Sequence, residues 1–284
     1  SGLPMMRYIS KWSGASCPLI GATRTDMNTR TQQDIEALRA RIAEVDAWYH
    51  CIDLGDGVET PGHFRMSDYL AFYQLPERLD GLRVLDVGAS TGFFSYEFER
   101  RGAAEVVAVE LPGWADHDWT PRYAREHAEK AATERDKIDR DVMLDGFTIV
   151  GEALASTRVR REFSTIYDLT PEKLGEFDVV FSGAMLMHVR DPVLGLHALR
   201  ACCKSSGRLI VSLSMLESDG DEPLARFAGE WDQCNWWQMS PAALRKMLTC
   251  CDFGRIENEG TYTLEDVTGQ FQDPTYVCHA LPRE

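Results

Sequence analysis

Two glycines closing a short apolar run, with a carboxylate at the end of the next one, are the first residues of this chain whose spacing implies chemistry. Val84-Leu85-Asp86-Val87-Gly88-Ala89-Ser90-Thr91-Gly92 reads as a buried strand that breaks into a glycine turn and opens a helix. Such a turn lets a ligand approach bare backbone amides at a helix N-terminus. Eighteen residues after Gly92, the run Val106-Val107-Ala108-Val109 ends in Glu110. A carboxylate placed there can accept both hydroxyls of a ribose. The glycine spacing is G-x-x-x-G and no G-x-x-x-x-G-K-[ST] occurs, so the turn is not a phosphate-cradling NTPase loop. The chemistry implied is retention of a nucleoside cofactor through its ribose.

The elements that must position these groups follow from periodicity. Residues 1–30 carry Gly, Ser, Thr and Pro without a period and read as a loose arm or lid. Ile35, Leu38, Ile42 and Val45 recur at helical spacing, which predicts a helix over about 32–47 capped by Thr31 or Asp34. Trp48 through Gly57 crowds aromatic residues into a loop or short hairpin. Strands are expected at 83–88, 106–109, 164–167, 177–182 and 208–214, with a last extended run at 275–280. Helices are expected at 93–101, about 191–203 and 240–250, and a solvated helical face over 118–141, where 6 basic and 7 acidic side chains fall. Strands alternating with helices imply an α/β fold with a Rossmann-like, doubly wound parallel sheet. The boundary is drawn between an N-terminal arm with a helical, aromatic lid (1–80) and a cofactor-binding domain (81–284).

From Arg83 onward this strand, glycine turn and acid resemble the class I S-adenosylmethionine (SAM)-dependent methyltransferases. The resemblance implies SAM as cofactor, with S-adenosylhomocysteine (SAH) as product, and puts Gly88, Ala89, Gly92 and Met185 beside its methionine part and Glu110 on its ribose. It implies Asp168 for the adenine amino group and places His188 where the fourth strand opens onto the transferred methyl. An imidazole there suits removal of an acceptor proton. Trp48, Tyr49 and His50 are read as a lid or acceptor wall, with Tyr49 and His50 the next candidate catalytic groups after His188. Trp114, Trp119, Trp231, Trp236 and Trp237 suit a partly aromatic acceptor pocket, and the alternative for all of these aromatics is simple packing.

A closer likeness covers roughly 48–280. W-Y-H-x-I-D-L-G-D-G-x-x-T-P-G, F-D-V-V-F-x-G-x-x-x-x-H-x-R-D-P and N-W-W-x-x-S-P-A-A-L resemble the tRNA wobble-uridine carboxymethyl and methoxy transferases. That group recognises the extra carboxylate of carboxy-SAM with a lysine, a tyrosine and an arginine. Here no lysine occurs between Lys11 and Lys130, Met187 replaces the tyrosine, and Thr275 begins the final strand. A carboxylate without charged partners is costly to bury, so ordinary SAM is expected.

Composition limits the partners. Of 284 residues, 45 are acidic and 30 basic, a formal net charge of −15, which disfavours tRNA without a local basic patch. Arg158, Arg160 and Arg161 form the densest basic cluster, read as a solvated helix end or strand edge. The 8 cysteines include no C-x-x-C, so no metal site is expected, and reduced thiols with no membrane span or leader place the chain in the cytoplasm. The expected activity is methyl transfer to an oxygen, ahead of carbon or nitrogen, of a small-molecule acceptor. A tRNA wobble-uridine methyltransferase and a SAM-binding module without turnover are the alternatives. A homo-oligomer is left open.

Overall fold

A computed structural model of the chain describes residues 30–218, 220–229 and 235–283. The N-terminal arm as far as residue 29 and Trp231 lie outside them. The first helix, α1 (Gln32–Glu44), starts in a capping box in which the Thr31 side chain accepts from the Asp34 amide and Asp34 accepts from the Thr31 amide. Its face at Leu38 and Ile42 is buried. A hairpin of β1 (Asp53–Gly55) and β2 (Val58–Glu59) follows, then the single turn α2 (Leu70–Tyr73).

The central sheet contains β3 (Arg83–Val87), β4 (Glu105–Glu110), β5 (Val159–Phe163), β6 (Phe177–Ser182), β7 (Cys203–Ser214), β10 (Phe253–Glu265) and β11 (Gln272–Pro282). A separate two-stranded ribbon pairs β8 (Ala225–Phe227) with β9 (Trp237–Met239). The seven strands run in the order β10-β11-β7-β6-β3-β4-β5. β5, β4, β3, β6 and β7 are parallel, and β11 is antiparallel to both β7 and β10. Leu85, Val107, Val180 and Leu209 are fully buried in that sheet. Burying each such side chain is worth about 1.5–3 kcal/mol, which is why these strands read as unbroken apolar runs.

Helices α3 (Phe93–Arg100), α4 (Pro121–Ala128), α5 (Ala132–Ile138), α6 (Asp145–Ala153), α7 (Pro171–Leu174), α8 (Pro192–Cys202) and α9 (Pro241–Cys250) complete the chain. Proline in the first turn with Asp191 or Ser240 as the cap starts α8 and α9 where the sequence placed them. The chain runs from β3 through β4 to β5 on one side, then crosses back to β6 and β7 on the other side of β3. The C-terminal ends of β3 and β6 therefore open a crevice at the reversal of strand order, where open α/β sheets hold their ligands.

Three expectations need correction. The third parallel strand is Val159–Phe163, and Ile166–Asp168 is a 3₁₀ turn instead of part of a strand. The Ser164 amide makes the last bond to the Glu110 carbonyl, 3.0 Å, before the chain turns away. The long edge strand β10 went unanticipated because its polar residues, Gly254 and Gly260 and its two register shifts break any alternation. The 118–141 stretch is only in part a solvated face: Tyr123 and Ile138 close a small core with Trp114 and Trp119.

Candidate active site

The glycine turn rests on the end of β4. The amides of Gly88 and Ala89 both donate to the Val109 carbonyl, at 3.0 and 3.2 Å. Gly88 and Gly92 have φ of +83° and +91°, and Ser90 between them is also left-handed at +50°. A left-handed non-glycine residue beside a ligand crevice marks backbone held for function. The two glycines serve different ends. A Cβ on Gly88 would lie 3.0 Å from Met185 Cγ, across the mouth of the crevice, whereas one on Gly92 would lie 2.5 Å from the Tyr96 ring. Gly92 thus seats α3 and is not a lining residue.

Glu110 is fixed at the end of β4 by two backbone donors. Its Oε2 accepts from the Ser90 amide at 2.8 Å and its Oε1 from the Leu111 amide at 3.0 Å. Each carboxylate oxygen keeps a further acceptor direction for a hydroxyl. Asp168 follows β5 in its 3₁₀ turn, exposed, and accepts from the Thr165 hydroxyl at 2.6 Å. It does not cap α7, whose start has no side-chain cap.

These groups share one cavity of about 590 Å³. Its volume falls in the range of about 300–1,000 Å³ usual for small-molecule and cofactor sites. Gly88, Ala89, Glu110, Asp168, Met185, His188, Tyr49 and His50 all line it with Trp48, Trp114 and Trp119, whereas Gly92, Trp236 and Trp237 do not. His188 ends a 3₁₀ turn after β6, its amide donating to the Met185 carbonyl at 2.9 Å. Just before this turn, Ala184 lines the cavity in a left-handed conformation, φ +49°.

His50 is buried, and its amide and Nδ1 both meet the Thr91 hydroxyl, at 3.2 and 2.9 Å. Burial pulls its pKa down to about 3, so it stands as a neutral ring that ties the N-terminal wall to the glycine turn. Burial first, then Tyr73 and Asp273, pushes the Tyr49 hydroxyl above its ordinary value. Behind Tyr49 the Tyr73 hydroxyl meets those of Tyr262, at 2.8 Å, and Ser212, at 3.2 Å. Tyr73, Tyr262 and Thr275 line this end of the cavity, which carries hydroxyls and rings but no lysine or arginine among the described residues.

The opposite wall comes from the long connection between β4 and β5. Trp114 and Trp119 line the cavity with His117, whose ring lies 4.8 Å from that of Trp119 and whose pKa is held down by burial. Asp118 clasps this wall to the loop after β6: it accepts from the Tyr167 hydroxyl at 2.6 Å and from the Arg190 Nε at 2.8 Å. Trp236 donates to the Asp118 carbonyl and Trp237 to that of Arg190, so these two indoles brace the clasp. Arg158, Arg160 and Arg161 lie on β5 and its approach, where Arg160 pairs with Glu105 and Glu162 and Arg161 stacks 4.2 Å over the Phe147 ring. The cluster is spent on structure.

Two groups escaped the sequence reading. Asp86, in the strand before the turn, is buried, lines the cavity and accepts from the Ser95 hydroxyl. Burial raises its carboxyl to about 7, with Ser95 opposing and Glu110 adding to the rise. Its signal was a charged residue in an otherwise apolar run. The tyrosine pair had none, because Tyr73 and Tyr262 meet from segments far apart in sequence.

A family model described as a methyltransferase domain matches residues 63–255, about two thirds of the chain. The tRNA U34 carboxymethyltransferase of Pseudomonas aeruginosa is 30% identical over 178 residues, 62% of this chain and 46% of that protein. The match thus spans about half the length of these curated relatives. The ubiquinone biosynthesis O-methyltransferase of Xanthomonas euvesicatoria pv. vesicatoria is 27% identical over 226 residues, 77% of this chain and 78% of that one. The crystal structure of the N-terminal domain of EvdMO1 with SAH bound superposes with a TM-score of 0.57 at 18% identity, covering 89% of this chain and all of that one, and shares the fold. Among the described residues no helix is long and apolar enough to cross a membrane. With the strand order, the glycine turn and the acid of β4 in place, the match identifies this chain as a member of the class I SAM-dependent methyltransferases.

Proposed function

We propose that this enzyme methylates an oxygen of an uncharged small molecule in the cytoplasm, using ordinary SAM. The observation that carries the reading is the charge of the cavity wall. Asp86, Glu110, Asp116, Asp118 and Asp168 line it, and among the described residues Arg190, clasped by Asp118, is the lone lysine or arginine. That lining favours a cofactor of net positive charge and opposes phosphates or carboxylates on the acceptor and any carboxylate beyond SAM's own. Of the three positions that would hold a transferred carboxylate, Thr275 lines the cavity without charge, Met187 is buried and outside the lining, and no lysine lines it among the described residues.

The residues fit SAM. Glu110 and the amides of the left-handed turn would hold its ribose and methionine part, and Asp168 lies within the same cavity for the adenine. When bound, SAM supplies an electrophilic methyl group. The chain aligns the acceptor against it and strips water away with the aromatic walls, and His188 takes the acceptor's hydroxyl proton. Residues 1–80, of which the structure describes 30–80, serve in this reading as the lid and acceptor wall of the 81–284 domain. Incubation with methyl-labelled SAM and, separately, a metabolite extract or bulk tRNA tests the reading: label is expected in the metabolite fraction. Label in tRNA alone would overturn it in favour of a wobble-uridine methyltransferase.

A further inference from the structure

One histidine of the cavity wall is clamped from both sides. The His50 carbonyl accepts from the Thr60 hydroxyl at 2.7 Å, and a Cβ on Gly62 would lie 2.0 Å from that carbonyl's carbon. The Thr60-Pro61-Gly62 end of the N-terminal motif therefore grips the His50 backbone, with glycine where nothing larger fits. On the other side the His50 amide and Nδ1 meet the Thr91 hydroxyl of the glycine turn, at 3.2 and 2.9 Å. The buried ring stands edge-on to that of Tyr49, 4.8 Å away, beside Phe93 and Phe94.

These bonds fix where the ring proton sits. The Thr91 oxygen accepts from the His50 amide, and the acceptor that its single proton reaches among the described residues is Nδ1. Burial keeps the ring neutral. A neutral ring whose Nδ1 accepts carries its proton on Nε2. That nitrogen makes no hydrogen bond among the described residues and is open to the cavity that His50 lines. An N–H in this place donates and cannot act as a base.

The glycine turn needs such a donor. The amides of Gly88 and Ala89 already donate to the Val109 carbonyl, that of Ser90 to Glu110 and that of Gly92 to the Ala89 carbonyl. Asp86 and Glu110 line the cavity beside the turn, and Arg190 is clasped by Asp118. The amino-acid carboxylate of SAM, taken out of water here, is costly unless a fixed N–H meets it.

We propose that His50 binds the methionine carboxylate of SAM, as a neutral donor whose Nε2–H is fixed in place by Thr91. The proposal rests on the methionine part lying at the glycine turn. No proton is transferred, and the carboxylate stays ionised.

Ring-nitrogen NMR on the full chain tests it, with SAH and with methylthioadenosine, which lacks the amino-acid part. His50 should show the Nε2–H tautomer, and that proton should shift on SAH and stay in place on methylthioadenosine. Calorimetry on variants reads the same contact. His50→Asn reaches Thr91 but not the cavity and should lower SAH affinity by about tenfold or more. His50→Gln returns a donor near the Nε2 position and should recover most of it, with methylthioadenosine affinity unchanged in both. An Nδ1–H tautomer, a proton that ignores SAH, or equal losses for the two ligands overturns the proposal, and the wild-type spectrum decides even where a variant does not fold. The backbone amides of Ala89 and Thr91 test the reading beneath: if they shift with SAH alone while the His50 proton does not, the turn keeps the methionine part and the proposal alone falls.

Discussion

Glu110 carries one obligation to the fold and, in the function proposed, a second to the ligand. It satisfies the Ser90 and Leu111 amides and still offers acceptor directions to the cavity. Glu110→Ala should weaken SAM binding by about 1–3 kcal/mol, measured by calorimetry, since hydroxyls lose a charged acceptor. Unchanged affinity would take the ribose away from this residue. Asp86 adds a pH dependence whose sign follows from its raised carboxyl. Between its ordinary value of 3.8 and about 7 the folded chain holds a proton that the unfolded chain has released. Its contribution to stability is therefore present at low pH and declines as pH rises through that window. A bound cation favours the ionised carboxylate, so SAM affinity should rise with pH up to about 7, at most about tenfold per unit, and then level off. Asp86→Asn should flatten that profile, and an equally steep profile in the variant would assign the proton elsewhere. Gly88 and Glu110 were legible because their turn and strand end are local in sequence. The tyrosine pair was not, because only the packing of α2 against β10 brings Tyr73 and Tyr262 to the same wall.

At the scale of elements, what the sequence announced was whatever its own neighbours decide. The capping box of α1, the proline starts of α8 and α9 and the apolar runs of β3, β4 and β6 all fall where pattern placed them. Edge strands did not. Val159–Phe163 interleaves Arg160, Arg161 and Glu162 because one side of the strand meets no further partner, and that charge hid it. The connection from β4 to β5 was harder still. Its charged residues suggest a solvated helix, yet Trp114, Trp119 and Tyr123 turn inward, with the Trp114 indole donating to the Tyr123 hydroxyl at 3.0 Å. The same connection then supplies His117 and Asp118 to the site. The connection buries a small core of its own and turns His117 and Asp118 to the cavity, an arrangement that periodicity does not announce.

The whole molecule repeats in its cavity the imbalance of its surface. A net charge of −15 is matched by a site lined with five carboxylates, one of which is paired with Arg190. The chain matches the tRNA U34 carboxymethyltransferase over less than half of that protein's length. Among the described lining residues an added carboxylate on the cofactor has only Arg190, already clasped by Asp118, as a cationic partner. In the function proposed the cavity takes ordinary SAM and an uncharged acceptor. Side-by-side calorimetry of SAM and carboxy-SAM on the wild-type chain tests it most directly. SAM should bind at least about tenfold tighter, the equivalent of about 1.4 kcal/mol for an unpaired buried carboxylate. Carboxy-SAM binding as tightly as SAM, or more tightly, would contradict the claim.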